Sequence, residues 1–318
     1  MNDVMILGAG AVGCLVGGHL AAQGYKVELV NRSPATAQAI AERGLIMELD
    51  RGTERLRPDA AQLDEASPAR FVMLCTKAYQ TDAAIRAVRH HLIEDCVMVS
   101  LQNGLGNAEH IAQVTGLPVL QGVTMIPSTL VAPAHVRSHG SHTSWLGPLD
   151  PDDQVQKDAS QQLTQMFNQS GLACDYEVKV HTRIWHKACF NVAMNAVCAL
   201  TDGPPGLVCD TPELMAQAHA LADEALAVAH AHSVGVDAAA LHATIDFAVR
   251  EHRFHQPSML QDMRADRETE IESLNGFVVK AARRLGIAVP RNELIYALVQ
   301  ARQSAAGFWK QQSKSELR

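Results

Sequence analysis

The chain has 318 residues, of which 47% are hydrophobic and 19% are charged. At roughly 150 residues per domain, this length predicts about two domains, and the composition excludes a disordered chain or a small disulfide-stapled one. Asp and Glu number 34 against 27 Lys and Arg, so the formal net charge is −7. This balance argues against a general nucleic-acid-binding protein, which usually carries a basic excess.

The cysteines and the charge-free segment near the start of the sequence indicate the cellular compartment of the protein. The seven cysteines include no C-x-x-C pair, which is typical of reduced, buried thiols in the cytoplasm and not of disulfides or a zinc site. Residues 4–22 carry no charge, but Asp3 precedes them, and five glycines and His19 interrupt them. This pattern suits a strand and a helix better than a signal peptide or a membrane span. We therefore expect a soluble cytoplasmic protein without a membrane partner.

In the first half of the chain, predicted strands alternate with predicted helices, which indicates a parallel sheet covered on both faces. Two later strands are expected to be antiparallel, and a further helix precedes a last strand. The predicted strands are 4–7, 26–30, 71–75, 97–101, 119–123, 135–138, 144–146 and 174–178, and the helices are 11–23, 35–43, 81–91, 107–114 and 158–169.

After about Lys179 the chain becomes rich in alanine and predicts helices separated by breaks that contain glycine, proline or serine. We therefore place a domain boundary near residue 180, which gives domains 1–180 and 181–318. Asp210, Pro212 and Glu213 together predict the start of a long helix. The predicted breaks lie at 203–206, 233–236, 256–257 and 286–290.

The glycine-rich segment that follows the first strand has the pattern G-x-G-x-x-G, and it opens the first helix. Gly8 permits a tight turn, Gly10 lets the backbone approach a pyrophosphate, and Gly13 lets the helix pack close to the strand. Backbone N–H groups at the helix start would bind the diphosphate. This context favours a Rossmann-type doubly wound sheet over a glycine-rich turn without a ligand, so the fold class is α/β with an all-α C-terminal domain. The segment reads Gly8-Ala9-Gly10-Ala11-Val12-Gly13.

The end of the second strand predicts which dinucleotide binds. NAD sites place a carboxylate there for the ribose 2′-hydroxyl, but this chain has Asn31, Arg32 and Ser33. The guanidinium of Arg32 could clamp the 2′-phosphate of NADP, with Lys77 as a second positive charge. The alternative is that both residues are ordinary solvated side chains.

A polar row marks the start of the predicted second domain. At about 100° per residue, Lys187, Asn191 and Asn195 fall at roughly 0°, 40° and 80° on one helix face. The segment around them is otherwise apolar. Polar groups on a buried face need partners, so the row predicts either a site or an internal hydrogen-bonded row, unless the face is exposed.

With these residues in view, the chain resembles the ketopantoate reductase (2-dehydropantoate 2-reductase) family nearly end to end. The resemblance implies a Rossmann domain followed by a helical domain, with the active site in the cleft between them. It also implies NADPH-dependent reduction of 2-dehydropantoate, a small 2-oxo acid, to (R)-pantoate in pantothenate biosynthesis. The matching segments are 8–13, 31–32, 76–80, 101–106, 185–195, 258–262, 269–271 and 275–276.

The resemblance also implies roles for single residues. Lys187 matches the family's catalytic lysine, which donates a proton to the ketone oxygen, because a lysine normally stays protonated at neutral pH. Glu270 matches a glutamate near the cofactor that could orient this ammonium. Asn103 matches an asparagine near the nicotinamide and the substrate, and Arg32 and Lys77 match the cofactor-phosphate pair.

The remaining implied residues would bind the substrate. Asn191 and Asn195 match substrate-holding asparagines, and Ser258 matches a serine that helps bind the substrate carboxylate. Ser258 also begins an S-x-x-Q capping box, so capping its helix is an alternative role. Glu270 lies in a charged stretch, where a solvated helix face is the alternative.

Two positions depart from the family pattern. Many members carry a histidine where this chain has 125–127, Met-Ile-Pro, and an asparagine that touches the substrate where this chain has Pro205. Because the loss of one hydrogen bond can change substrate discrimination by orders of magnitude, a paralogous NADPH-dependent reductase of another 2-oxo acid is the alternative function. A non-enzymatic NADPH-sensing module is the second alternative, although it would need no catalytic row.

The histidines and the alanine-rich helices leave two structural questions open. Histidines cluster at His90 and His91, at His252 and His255, and at His135, His139 and His142. We interpret them as surface residues and expect no metal, since hydride transfer with a lysine acid needs none.

The helices after Leu207 suit either a homodimer interface or the core of their own domain.

Overall fold

A computed structural model of the chain describes residues 1–140 and 143–316. The chain divides into two compact units, Met1–His181 and Thr182–Arg318. The division falls in the first turn of the helix Val180–Thr201, beside the boundary that we predict near residue 180.

The first unit contains all the strands of the described residues. The strands are β1 (Asn2–Leu7), β2 (Val27–Asn31), β3 (Leu45–Leu49), β4 (Gly52–Leu56), β5 (Asp59–Gln62), β6 (Ala69–Leu74), β7 (Val97–Ser100), β8 (Val119–Thr124), β9 (Thr129–Ala132), β10 (His135–Arg137), β11 (Ser144–Pro148) and β12 (Cys174–Tyr176). Its helices are α1 (Ala11–Ala22), α2 (Pro34–Arg43), α3 (Thr81–Val88), α4 (Asn107–Thr115) and α5 (Gln154–Gln169). Short 3₁₀ turns lie at Leu63–Glu65, Ala78–Gln80 and Arg89–His91.

Eight strands form the main sheet, in the order β5-β2-β1-β6-β7-β8-β11-β12. The strands from β5 to β8 in this order are parallel, whereas β11 runs antiparallel to β8, as predicted. Successive residues of β1 enter different cores, because Val4 and Ile6 lie in one apolar cluster and Met5 and Leu7 in another. Both faces of the sheet are therefore covered, which confirms the doubly wound α/β fold.

A second, four-stranded sheet has the order β4-β3-β10-β9, and the sequence predicted only one of its strands. That strand is β10, which we expected to be antiparallel. It is antiparallel to β9, as expected, but parallel to β3. Three of the five residues of β4 are exposed, and its sequence, Gly-Thr-Glu-Arg-Leu, lacks the apolar alternation by which a strand is detected. The helix predicted to begin at residue 158 begins earlier, because the Asp153 side chain accepts hydrogen bonds from the first-turn backbone.

The described part of the second unit is helical and contains no strand, which confirms the predicted all-α region. Asp210 was expected to help start α8, but it forms an ion pair with Arg253, and Thr211 directly precedes the helix. Among the residues searched, no helix combines the length and apolar character that crossing a bilayer requires. The helices are α6 (Val180–Thr201), α7 (Pro205–Asp210), α8 (Pro212–Ala231), α9 (Ala238–Glu251), α10 (Ser258–Arg264), α11 (Asn275–Leu285) and α12 (Pro290–Glu316), with a 3₁₀ turn at Ile271–Ser273.

Candidate functional site

The glycine-rich turn joins β1 to α1, and packing requires glycine at two of its positions. Gly8 has a φ of +101°, and its N–H donates to the Val30 carbonyl at 2.9 Å. A Cβ at Gly8 would lie 2.7 Å from the Thr76 nitrogen, and a Cβ at Gly13 would lie 2.2 Å from the Gly8 oxygen. Both glycines therefore permit close backbone approaches that any side chain would block.

Gly10 differs from its neighbours, because packing does not require it. A Cβ at Gly10 would meet no atom within 4 Å. Gly10 precedes the first residue of α1, and no side chain caps this helix or places an acidic group in its first turn. The turn's first N–H groups therefore meet no side-chain acceptor from the cap position, which suits the approach of an anion such as a diphosphate.

The order of the main sheet fixes where a ligand of this fold binds. The strands β2 and β5 continue from β1 in one direction, and β7 and β8 continue from β6 in the other, so the topological switch lies between β1 and β6. Gly8 follows β1, and Thr76 and Lys77 follow β6, at the same carboxyl edge. Ligands of doubly wound sheets bind at this switch point. The half-buried Lys77 is therefore placed beside the glycine-rich turn by the topology.

The end of β2 carries the candidate for a 2′-phosphate site. The side chain of Asn31 is engaged locally, since its Nδ2 donates to the Thr36 hydroxyl at 3.1 Å and its Oδ1 accepts from the Arg32 N–H at 2.9 Å. The Arg32 side chain is exposed, and Ser33 caps α2. This strand end thus presents a guanidinium and no carboxylate.

Asn103 follows β7 at the same edge of the sheet, and its carbonyl accepts from Asn107 Nδ2 at 3.0 Å. The preceding residue, Gln102, was missed by the sequence analysis although it lies within the matching segment 101–106. Its Nε2 donates to the Thr76 carbonyl at 3.0 Å and to the Thr81 hydroxyl at 2.9 Å. Gln102 therefore ties the end of β7 to the loop that carries Lys77.

In the second unit, α6 carries the predicted polar row on one face. Lys187 and Asn191 are half-buried, and Asn195 is 6% exposed. Burial lowers the pKa of Lys187 to about 8, and the negative charge of Glu270 opposes this shift. Glu270 is 6% exposed, so the solvated-face alternative for this residue is wrong. The second unit thus holds a lysine with a lowered pKa and a buried carboxylate that acts on it.

Ser258 and Asn275 are two further polar residues of the second unit that lie in matching segments. Ser258 is the first residue of α10, but Pro257 holds the cap position and no side chain caps the helix. Because the Gln261 amide donates to the Gln256 carbonyl instead, the capping-box alternative for Ser258 is wrong. Asn275 is fully buried, and its Nδ2 donates to the Val192 carbonyl of α6 at 3.2 Å. No role was predicted for Asn275 beyond its place in a matching segment.

The two positions that depart from the family pattern are both buried and apolar. Ile126 is 8% exposed, and Pro205 is the buried first residue of α7. Neither side chain offers a hydrogen-bond donor.

Two of the clustered histidines, His135 and His139, have carboxylate partners. His135 lies 2.6 Å from a Glu48 oxygen, His139 lies 2.9 Å from an Asp50 oxygen, and His142 lies outside the described residues. Among residues 1–140 and 143–316, no group of three or more His, Cys, Asp or Glu residues is arranged to hold a metal ion.

Comparison with protein families identifies the relatives of this chain. The family model described as ketopantoate reductase PanE/ApbA matches residues 4–151, and the model of the C-terminal domain of the same family matches residues 179–303. The chain belongs to the ketopantoate reductase family. As a member of this family it is an oxidoreductase.

Curated relatives and solved structures agree with this membership. The 2-dehydropantoate 2-reductase of Pyrococcus horikoshii is 30% identical over 96% of this chain and 98% of its own length. The crystal structure of a PanE/ApbA family ketopantoate reductase from Ralstonia eutropha superposes with a TM-score of 0.88 at 29% identity, covering 95% of this chain and 99% of that one. D-mandelate dehydrogenase with NADH and anilino(oxo)acetate superposes with a TM-score of 0.89 at 26% identity, over 95% and 99% of the two chains.

Proposed function

We propose that this ketopantoate reductase family member reduces 2-dehydropantoate to (R)-pantoate with NADPH, as a step of pantothenate biosynthesis. The observation that carries this proposal is the pairing of Lys187, whose pKa burial lowers to about 8, with the buried carboxylate of Glu270. A pKa near the working pH suits a general acid, because the group is protonated and can still give up its proton. The curated relatives that bear this enzyme's name support the choice of substrate.

The residues of the first unit fit a nicotinamide dinucleotide. The glycine-rich turn and the N-terminal N–H groups of α1 would hold the diphosphate, since Gly10 leaves that helix end open. Arg32 and Lys77 would hold the 2′-phosphate of NADPH, for which a guanidinium is well suited. When bound, the reduced nicotinamide supplies a hydride to the ketone carbon.

The residues of the second unit would bind and protonate the substrate. The Lys187 ammonium would polarise the ketone oxygen and donate a proton to it as negative charge develops there. Glu270 would favour the charged form of Lys187 and orient it. Asn191, Asn195 and Ser258 would hold the carboxylate and hydroxyl groups of the substrate, and the resemblance adds Asn103 of the first unit as a further substrate-binding residue.

The test is NADPH oxidation with 2-dehydropantoate, followed by absorbance for the wild type and for Lys187→Met. We expect the substitution to lower kcat by 10²-fold or more, because general acid catalysis contributes about 10²–10⁴-fold. NADPH affinity, measured separately by calorimetry, should stay within about twofold of the wild type. Lys26→Met, at an exposed lysine, is the matched control and should turn over normally. Intact turnover in Lys187→Met would refute the proposed role of this lysine.

A second candidate function is the reduction of a different 2-oxo acid by the same residues. Pro205 and Ile126, both buried and apolar, favour it, because neither can donate a hydrogen bond to a substrate hydroxyl. The likeness to D-mandelate dehydrogenase supports it, since the substrate of that protein carries an aromatic group. A panel of 2-oxo acids with aliphatic and aromatic side chains, assayed beside 2-dehydropantoate with NADPH and NADH, separates the two candidates. A higher kcat/KM for another acid would select the second.

A further inference from the structure

Gln102 is a buried polar residue at the carboxyl edge of the main sheet, and only the nitrogen of its side-chain amide forms hydrogen bonds with described residues. Its side chain is 8% exposed, and Nε2 donates to the Thr76 carbonyl at 3.0 Å, the Thr76 hydroxyl at 3.2 Å and the Thr81 hydroxyl at 2.9 Å. The Thr76 carbonyl oxygen can only accept hydrogen bonds, so it is the Nε2 of Gln102, and not its Oε1, that faces Thr76. Among the described residues, its buried Oε1 has no hydrogen-bond partner.

Thr76 connects Gln102 to the glycine-rich turn. A Cβ at Gly8 would lie 2.7 Å from the Thr76 nitrogen and 2.8 Å from its Cγ2, so Gly8 and Thr76 already lie in close contact. Lys77 is the next residue along the chain. Thr76 is thus fixed by Gly8 on one side and by Gln102 on the other, and the position of the Lys77 backbone depends on both.

Stability alone does not account for a glutamine at this position. A buried acceptor without a partner destabilises the folded chain, and an apolar residue of similar size would avoid that cost. Local choices that lower stability are expected where a residue serves function. The three hydrogen bonds made by Nε2 all lie on the side of the β6–α3 loop, which is the loop that carries Lys77.

We infer that Gln102 is a positioning residue for cofactor binding, which holds the Thr76–Lys77 loop against the Gly8 turn so that Lys77 can reach the 2′-phosphate. This inference rests on the proposed NADPH dependence. It assigns to Gln102 an effect on the discrimination between NADPH and NADH, which differ only in that phosphate. Gln102 itself would touch neither dinucleotide and would act through Thr76 and Lys77.

The experiment measures the affinities of NADPH and NADH by calorimetry for the wild type, Gln102→Leu and Lys77→Ala. We expect Gln102→Leu to reduce the NADPH:NADH affinity ratio about fivefold to tenfold, and Lys77→Ala to reduce it at least as much. In the double variant the ratio should fall no further than in Lys77→Ala, because two residues that act through one group are not additive. Gln102→Met has a side chain of similar length without donors to Thr76 and without a charge, so it should behave like Gln102→Leu and serves if the leucine variant does not fold.

Thr81→Val is the matched control, because it removes the Gln102–Thr81 hydrogen bond and leaves the bonds to Thr76 in place. We expect it to leave the affinity ratio within twofold of the wild type. An unchanged ratio in Gln102→Leu, an equal fall in Thr81→Val, or additive effects in the double variant would each overturn the inference. If the wild type shows no preference for NADPH, the proposed cofactor fails first. If Lys77→Ala alters the ratio and Gln102→Leu does not, only the role of Gln102 fails.

Discussion

The Glu270 carboxylate and burial shift the pKa of Lys187 in opposite directions. Burial lowers the pKa of the lysine to about 8, and the buried Glu270 carboxylate limits this fall. Because the acid must be protonated to donate, we expect kcat for reduction to be constant below pH 8 and to fall about tenfold per pH unit well above it. The pH–rate profile under saturating substrates measures this directly. A profile without a break between pH 7 and 9.5 would contradict the assignment of Lys187 as the acid.

Removing the charge of Glu270 should change the pH at which kcat begins to fall, which is the break in the pH–rate profile. In Glu270→Gln the opposing charge is absent, so the pKa of Lys187 falls and the decline in kcat begins at a lower pH than in the wild type. Glu272→Gln is the matched control, since Glu272 lies two residues away and pairs with Lys280. The control should leave the break in place, and a break that moves equally in both variants would refute the specific pairing.

The lowered pKa of Lys187 also links its charge to folding. The folded-state pKa of about 8 lies below the ordinary lysine value of 10.5, so between these values the unfolded chain binds more protons and stability rises with pH. Burial of the charged Lys187 ammonium therefore lowers the free energy of unfolding. This destabilisation is fully present below pH 8 and is lost as pH rises toward 10.5. We expect the unfolding free energy of the wild type, minus that of Lys187→Met, to rise by up to about 3 kcal/mol across this window. Denaturant titrations at pH 7 and pH 10 measure it, and a constant difference would contradict the shift.

The sequence predicted the features that depend on neighbouring residues. The glycine-rich turn, five of the six strands of the parallel part of the sheet and the polar row of α6 follow from short-range spacing, whereas the edge strand β5 was not predicted. Gly8 and Gly13 are required where the pattern placed them, because a Cβ at Gly13 would meet the turn itself and a Cβ at Gly8 would meet Thr76, just after β6.

Features that depend on distant contacts were not predictable in the same way. Glu270 lies in a charged stretch, and its burial is decided by the packing of the helical unit around it. The strand β4 is exposed and forms only because β3 pairs with it. Gln102 has no local signal, since its hydrogen-bond partners lie 21 and 26 residues away. The role proposed for Glu270 comes from the resemblance, because spacing alone does not indicate it.

The different environments of Gly10 and Gly13 predict different consequences of adding a methyl group. Gly13→Ala places a Cβ 2.2 Å from the Gly8 oxygen, so we expect a loss of roughly 1–3 kcal/mol of stability. Gly10→Ala meets no atom within 4 Å and should cost less than about 1 kcal/mol. It should nevertheless weaken NADPH binding about tenfold, because the methyl group would occupy the space of the diphosphate. Thermal unfolding and calorimetry on both variants measure these effects, and normal NADPH binding by Gly10→Ala would refute the diphosphate site.

The end of β2 should determine the choice between NADPH and NADH. Arg32→Ala removes the exposed guanidinium, and we expect NADPH affinity to fall about tenfold while NADH affinity stays within twofold. Asn31→Asp combined with Arg32→Ala introduces a carboxylate for a ribose 2′-hydroxyl and should make NADH the preferred cofactor. Arg89→Ala, at another exposed arginine, is the control. Equal losses for both cofactors in Arg32→Ala would place the 2′-phosphate elsewhere.

Pro205 tests the identity of the substrate. As the buried first residue of α7, it occupies a helix position that tolerates other residues, since no intrahelical N–H bond is formed there. If 2-dehydropantoate is the substrate and is held without a donor at 205, Pro205→Asn should raise its kcat/KM by about tenfold, because a hydrogen bond to the substrate hydroxyl is gained. If the pocket is built for an apolar 2-oxo acid, the same change should lower kcat/KM for that acid, because an unpaired amide is then left beside an apolar group. Steady-state kinetics of the wild type and Pro205→Asn with both acids distinguish these outcomes, and identical kinetics in the two proteins would show that residue 205 does not contact the substrate.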